Sequence, residues 1–270
     1  MEKNKKTYVI IGLLVVILVA IVTVGLNRSD QVLKAETLEN VASSQQNATS
    51  TQDKSSTSST QQTNKNKTTA IASLPNAKQS DWNLIVVNRN QPKAEINPPL
   101  TTVDGKQVDS RIATAVQNFL VAAQKIAPAE HLISGYRSVA YQSQLYQLYL
   151  SQELAGNGTV NQTGKSISQA QAVANVNSYS QPAGSSEHDT GLAIDMSTVN
   201  SLNAADPTVA AKVASLAPQY GFVLRFEKGK EASTGVNYED WHYRYVGVEN
   251  AKYMVAHHLS LEEYVALLPK

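Results

Sequence analysis

From Tyr8 to Leu26 the chain runs without one charge, and no other feature limits its folding more. A run of this length is long enough to cross a hydrocarbon core as a helix. Lys3, Lys5 and Lys6 lie on its N-terminal side, which places that end in the cytoplasm. Residues 1–27 are therefore expected to form a cytoplasmic tip and a single-pass membrane anchor, with everything after Arg28 outside the cell membrane. A cleavable signal peptide is the competing reading. The run is longer than a usual signal core and no clear small-x-small site follows it, which favours the uncleaved anchor.

Residues 28–75 form the expected linker. Between Asn40 and Thr69 it is almost wholly Ser, Thr, Gln and Asn with a few Lys. It has too few apolar groups to offset the entropy of ordering. Such a tether could hold a domain some distance from the lipid, within a porous polymer such as a cell wall. From residue 76 to residue 270 the composition turns globular, with length enough for one domain and a sizeable core. A net charge of +1 without a basic cluster beyond the N-terminus argues against nucleic acid as a partner. There is no cysteine, so there can be no lipidated cysteine, disulfide or metal-binding thiolate, and any metal site must use histidine and carboxylate.

Trp82 to Asn88 reads as a strand, followed by a loop through Pro98-Pro99. Asp109 caps a helix with Ile112, Val116, Phe119, Leu120 and Ala123 at helical spacing, ending near Ala127-Pro128. His131 to Tyr136 is a short strand. Ser138 caps the next helix, in which Leu145, Leu148, Tyr149 and Gln152 keep the period, and Ser166 to Asn177 is a weaker one. Gly191 to Met196 alternates as a strand, with Ala193 and Asp195 on the face opposite Leu192, Ile194 and Met196. Asp206-Pro207 opens a helix closed by Gly221, then Gly221 to Phe226 and Trp241 to Val246 are strands. Ser260 and Glu263 make a capping box for a last helix ending at Leu268. Strands and helices without βαβ regularity predict an α+β fold, a small antiparallel sheet with surrounding helices.

The chain has only five histidines, and two sit beside carboxylates. His188 lies in a small polar loop just before the strand that carries Asp195, which makes these two a candidate metal-ligand pair. His242 follows Glu239 by three positions. On a fully extended strand they would face opposite ways, so the reading needs a turn at Glu239-Asp240. Two histidines and two carboxylates suit a catalytic zinc site, in which three N/O ligands hold the ion and a further carboxylate takes a proton from water. His131, His257 and His258 have no carboxylate at ligand-like spacing. Trp241, Tyr243 and Tyr245 alternate, as sheet packing does.

The ordered set Ser134-Gly135-Tyr136-Arg137-Ser138 with Gln142, Ser186-x-His188 to Asp195, and Glu239-x-Trp241-His242 with Arg244-Tyr245-Val246-Gly247 resembles the VanY/LdcB-type D-alanyl carboxypeptidases. The likeness spans about Ile71 to Lys270. It implies a zinc peptidase that removes the terminal D-alanine of a peptidoglycan stem peptide, LD- or DD-specific, with the zinc in a cleft over the sheet. On this chain the family's zinc ligands fall on His188, Asp195 and His242, and its base on Glu239. Arg137 matches the substrate arginine, as carboxylate clamp or oxyanion donor, and Gln142 and Ser186 are implied to line the peptide site. Without the resemblance, a solvated helix Gln and a loop-capping Ser are the plainer readings of those two.

Relatives often read Arg-Tyr-Pro where this chain has Arg225-Phe226-Glu227, which bears on fine specificity and leaves the zinc centre intact. A peptidoglycan endopeptidase of related design, or a wall-binding module that has lost its chemistry, would be the alternatives. All four ligand and base types are present, which disfavours the second, and Arg137 disfavours the first. The enzyme is expected to act as a monomer.

Overall fold

The computed structural model describes residues 73–201 and 203–270. The expected membrane span and nearly all of the expected linker lie outside these residues. Among the described residues no helix is long and apolar enough to cross a membrane.

The chain enters through a 3₁₀ turn at Trp82–Leu84 and irregular backbone where a strand was predicted. The reason lies in its carbonyls. Arg244 Nη2 takes Ile85 O at 2.8 Å and Asn83 O at 3.2 Å, so these acceptors serve a buried guanidinium and not a neighbouring strand. Leu84 and Val86 are still buried, as core anchors. Next comes a hairpin that lies beyond the expected loop and was not anticipated: Leu100–Val103 (β1) and Lys106–Asp109 (β2) pair antiparallel. Asp104 and Gly105 turn it with φ of 48° and 73°, the left-handed conformation that two-residue hairpin turns require.

Asp109 accepts from Arg111 N and caps a 3₁₀ turn at Ser110–Ile112 that continues as α1, Ala113–Ile126. Val116, Phe119, Leu120 and Ala123 are buried along α1 as their spacing predicts. His131–Ser134 (β3) follows, then Val139–Ala155 (α2), capped by Ser138, and Gln169–Asn177 (α3). On α2 the inward face is Gln142, Tyr146, Leu150 and Glu153, whereas Leu148 is exposed. The predicted phase was wrong because two of the inward residues are polar and hydrogen-bonded.

Ala193–Ser197 (β4), Pro207–Leu216 (α4), Phe222–Leu224 (β5), Glu231–Thr234 (α5), His242–Tyr245 (β6), Val248–Ala256 (α6) and Leu261–Ala266 (α7) complete the described elements. The helix α6 was not anticipated. The capping box at Ser260 and Glu263 is formed in both directions. The main sheet runs β3-β4-β6-β5, every pair antiparallel, so the domain is α+β.

Leu132, Leu192, Ile194, Met196, Phe222 and Tyr243 from the sheet region meet Val116, Phe119 and Leu120 of α1 in the main core. Phe119 stacks on Phe222 at 5.3 Å and meets Tyr243 edge-on at 5.1 Å. A second cluster, with Leu84, Val86, Val223, Val246, Met254, Leu261 and Tyr264, packs α6 and α7. A third, smaller one joins α2 and α3 through Tyr146, Leu150, Ala172 and Val176.

Candidate active site

β4 and β6 pair Asp195 directly with His242. That register sets two of the predicted ligands side by side, facing away from the apolar residues of β4. The third comes from the 3₁₀ turn Glu187–Thr190, which Ser186 caps by accepting from His188 N and Gly191 closes with φ 71°. His188 Nδ1 lies 2.7 Å from Gly135 O. A ring nitrogen beside a carbonyl must carry the proton, which leaves Nε2 as the lone-pair nitrogen. Gly135 is needed there because a Cβ would collide with the Gln107 carbonyl.

One ligand atom each from His188, Asp195 and His242 all fall within 4.8 Å of one another, and all three residues are buried. His188 Nε2 is 3.3 Å from Asp195 Oδ2, and His242 Nδ1 is 3.1 Å from Asp195 Oδ1. Burial pushes His188 down to about 4, so it stays neutral near pH 7 and its nitrogen can donate to a metal. His242 behaves differently. Burial would lower it, but hydrogen bonds to Asp195 and Glu187 outweigh burial and raise it to about 9.

The turn needed before β6 is present as a bend at Asp240 and Trp241. Asn203 Oδ1 accepts from Asp240 N there. It brings Glu239 Oε2 within 3.9 Å of His242 Nδ1. Glu239 is buried, and burial above all raises its carboxyl to about 8.

Arg137 stands at the other side of the cluster. Its Nε donates to Gln142 Oε1 at 2.8 Å, its Nη1 to Ser134 Oγ at 2.9 Å, and Nη1 is 3.8 Å from Asp195 Oδ2. Gln142 Nε2 donates in turn to Gln181 O at 2.6 Å. Gln142 is thus fully buried behind the arginine and holds it, while Ser186 lies on the wall of the cleft itself. The cleft is open to solvent with about 700 Å³ of empty space. Arg137, His188, Asp195, Glu239 and His242 line it together with Leu145, Tyr149, Tyr179 and Trp241.

Tyr179 and the Glu187 network were not singled out from the sequence, and Tyr149 was named only for its helical spacing. Tyr149 and Tyr179 meet edge-on at 5.5 Å on the α2–α3 side. Phe226 packs against the His242 ring at 4.9 Å. Glu187 joins Arg225 and Arg244 in a buried ion-pair network. The one available signal was Arg244, a charge inside an aromatic strand, since buried charges must be paired. The remaining histidines are elsewhere: His131 bonds Ala129 O and Asn200, and His257 stacks on Tyr253.

A family model described as VanY, D-alanyl-D-alanine carboxypeptidase, matches residues 105–248. A D-alanyl-D-alanine carboxypeptidase of Enterococcus faecalis is 31% identical, over 69% of this chain and 67% of its own length. Among solved structures, the vancomycin resistance D,D-pentapeptidase VanY, as a glutamate-to-alanine mutant in complex with Zn(II), is 31% identical with a TM-score of 0.59, covering 68% of this chain and 99% of that one. The L,D-carboxypeptidase DacB from Streptococcus pneumoniae is 34% identical with a TM-score of 0.52, covering 68% of this chain and 87% of its own. The chain belongs to the VanY family of D-alanyl-D-alanine carboxypeptidases.

Proposed function

We propose that this protein is a zinc-dependent D-alanyl carboxypeptidase that removes the terminal D-alanine of peptidoglycan stem peptides. The observation that carries this is the convergence of His188, Asp195 and His242 within 4.8 Å, with Glu239 beside them on the same cleft. Two imidazoles and one carboxylate, buried and without a thiolate, fit the ligand preferences of a catalytic zinc ion. When bound, zinc would supply a Lewis acid that polarises the scissile carbonyl and makes water a stronger acid.

The protein's own groups divide the remaining work. Glu239, beside the His242 ring on the same cleft, is placed to accept a proton from the attacking water and return it to the leaving amine nitrogen. Arg137 is fixed through Nε and Nη1. Among the described residues its Nη2 makes no hydrogen bond, which suits a clamp on a terminal carboxylate. Gln142 positions that arginine from behind. Ser186 holds the His188 turn and borders the peptide. Leu145, Tyr149, Tyr179 and Trp241 give the cleft an apolar and aromatic wall for the peptide chain.

A terminal D-alanine ends both the D-Ala-D-Ala of a pentapeptide and the L-Lys-D-Ala of a tetrapeptide, and relatives of both specificities are similar to this chain. In the same reading the apolar run Tyr8 to Leu26 anchors the protein in the cell membrane. The polar stretch after it tethers the catalytic domain outside the cytoplasm, where it acts on the wall as a monomer. The test is mass analysis of tetra- and pentapeptides incubated with the full-length protein. Release of a single D-alanine, abolished by a zinc chelator, is expected. Cleavage at an internal bond, or no cleavage with zinc present, would refute the proposal.

A further inference from the structure

Glu187 has no part in the reading above, yet it is among the most constrained side chains in the domain. It is 3% exposed. Its Oε1 accepts from Arg225 Nε at 2.9 Å and from Arg244 Nη1 at 2.8 Å. Both guanidiniums are themselves fixed. Arg225 Nη2 donates to Glu262 Oε1 at 2.7 Å, and Arg244 Nη2 donates to Ile85 O at 2.8 Å. The second oxygen, Oε2, lies 3.4 Å from His242 Nε2.

His242 thus has a carboxylate at each ring nitrogen: Asp195, itself a predicted ligand, at Nδ1 and Glu187 at Nε2. The two are not equivalent. Asp195 Oδ2 also contacts His188, whereas Glu187 is turned toward two arginines and contacts no other predicted ligand. An imidazole whose Nε2–H donates to a fixed acceptor must offer its lone pair at Nδ1. Outer carboxylates that hold a ligand histidine in this way fix its tautomer and ring orientation.

We infer that Glu187, braced by Arg225 and Arg244, is a positioning residue that sets His242 to bind metal through Nδ1. The inference rests on the zinc reading of the preceding subsection. It assigns the two histidines opposite modes: His188 binds through Nε2 because Gly135 O holds its Nδ1, and His242 through Nδ1 because Glu187 holds its Nε2. A purely structural role, pinning the 3₁₀ turn to β6, would need the arginine contacts and not the approach to His242.

The experiment measures zinc affinity of the full-length protein by chelator competition, for the wild type, Glu187→Gln and Glu187→Asp, with circular dichroism to confirm folding. Glu187→Asp keeps the charge but draws it back by one methylene from His242 and from the arginines alike, so the His242 proton position read by NMR is what separates the two roles. Both variants should bind zinc about 10- to 100-fold more weakly than wild type. Long-range ¹⁵N–¹H NMR of the zinc-loaded wild type should show a proton on His242 Nε2 and none on Nδ1. Should Glu187→Gln fail to fold, Glu187→Asp and the wild-type spectrum still decide. Wild-type affinity in a folded variant, or an Nδ1 proton on His242, would overturn the inference and leave the zinc reading standing. A wild type that binds no zinc would overturn both.

Discussion

The floor and the α2–α3 wall of the cleft use buried carboxylates in different ways. On the floor, formed by β4, β6 and the turn at Glu187–Thr190, Glu239 is buried with its carboxyl raised to about 8, and Glu187 needs two arginines. On the wall, Glu153 is fully buried yet satisfied without any cation. It accepts from Val160 N, Asn161 N, Asn175 Nδ2 and Tyr179 Oη, at 2.7 to 3.2 Å. Burial would raise its carboxyl, but these bonds outweigh burial and hold it below the ordinary value. The floor leaves one carboxyl, that of Glu239, beside the predicted ligands with no arginine or lysine paired to it among the described residues. The wall uses charge as glue, tying the loop after α2 to α3 and to the cleft residue Tyr179.

The two regions also rest on different cores. The floor is backed by the main cluster around Phe119 and Tyr243, the wall by the small cluster of Tyr146, Leu150, Ala172 and Val176. Substitutions on the floor should therefore change chemistry with the fold intact, and those on the wall should change local order and substrate affinity.

The largest effect is expected at Glu239. Glu239→Gln should lower kcat by about two to four orders of magnitude while zinc content and melting temperature hold, as read by steady-state kinetics with metal analysis. Loss of the metal with the carboxylate would make Glu239 a ligand and erase its distinction from Asp195.

Next comes Arg137, where floor and wall meet. A stem peptide amidated at its C-terminus should lose about 2 to 5 kcal/mol in kcat/KM against the free acid, because the guanidinium is left facing an uncharged group. Equal hydrolysis would point to an endopeptidase.

On the wall, Glu153→Ala leaves several donors unsatisfied and should destabilise the α2–α3 region by about 2 to 3 kcal/mol. Hydrogen exchange should rise around residues 156–180 and KM should increase, with zinc affinity unchanged. A matching fall in zinc affinity would show that the two regions are one unit.

The smallest effect is a pH dependence at Glu130, just ahead of β3. Its side chain is buried with Oε2 unpartnered, and burial raises its carboxyl to about 7. A carboxyl raised on folding supports the folded state below its unfolded pKa, and that support is lost as pH climbs through the folded pKa. Glu130→Gln should therefore leave stability unchanged near pH 4 and raise it above pH 7. Each pKa unit corresponds to about 1.4 kcal/mol, and a gain of about 1 kcal/mol or more is expected. Melting curves at pH 4 and pH 8 read it directly.

The same contrast explains what the sequence disclosed. Caps and core stripes that act over three or four residues were legible: Asp109, Ser138, Asp206-Pro207, the Ser260–Glu263 box and the α1 stripe through Val116 and Phe119. The alternation that puts Asp195 opposite Ile194 was legible as well. A hairpin signal was present too, since Asp104-Gly105 is the dipeptide such turns prefer. What stayed hidden depends on distant partners. Glu187 meets arginines 38 and 57 positions away, so its neighbours in the chain give no sign of them. The inner face of α2 was misread for a related reason: Gln142 and Glu153 look like solvated residues until Arg137 and the loop at Val160 and Asn161 supply their partners.

The central claim is that the floor holds zinc through His188, Asp195 and His242 and keeps Glu239 free of it. Metal analysis of the full-length protein, compared among wild type, His188→Ala and Glu239→Gln, tests this directly. One zinc per chain is predicted for wild type and Glu239→Gln, and none for His188→Ala with its fold retained. Equal zinc content in His188→Ala and wild type would contradict the account.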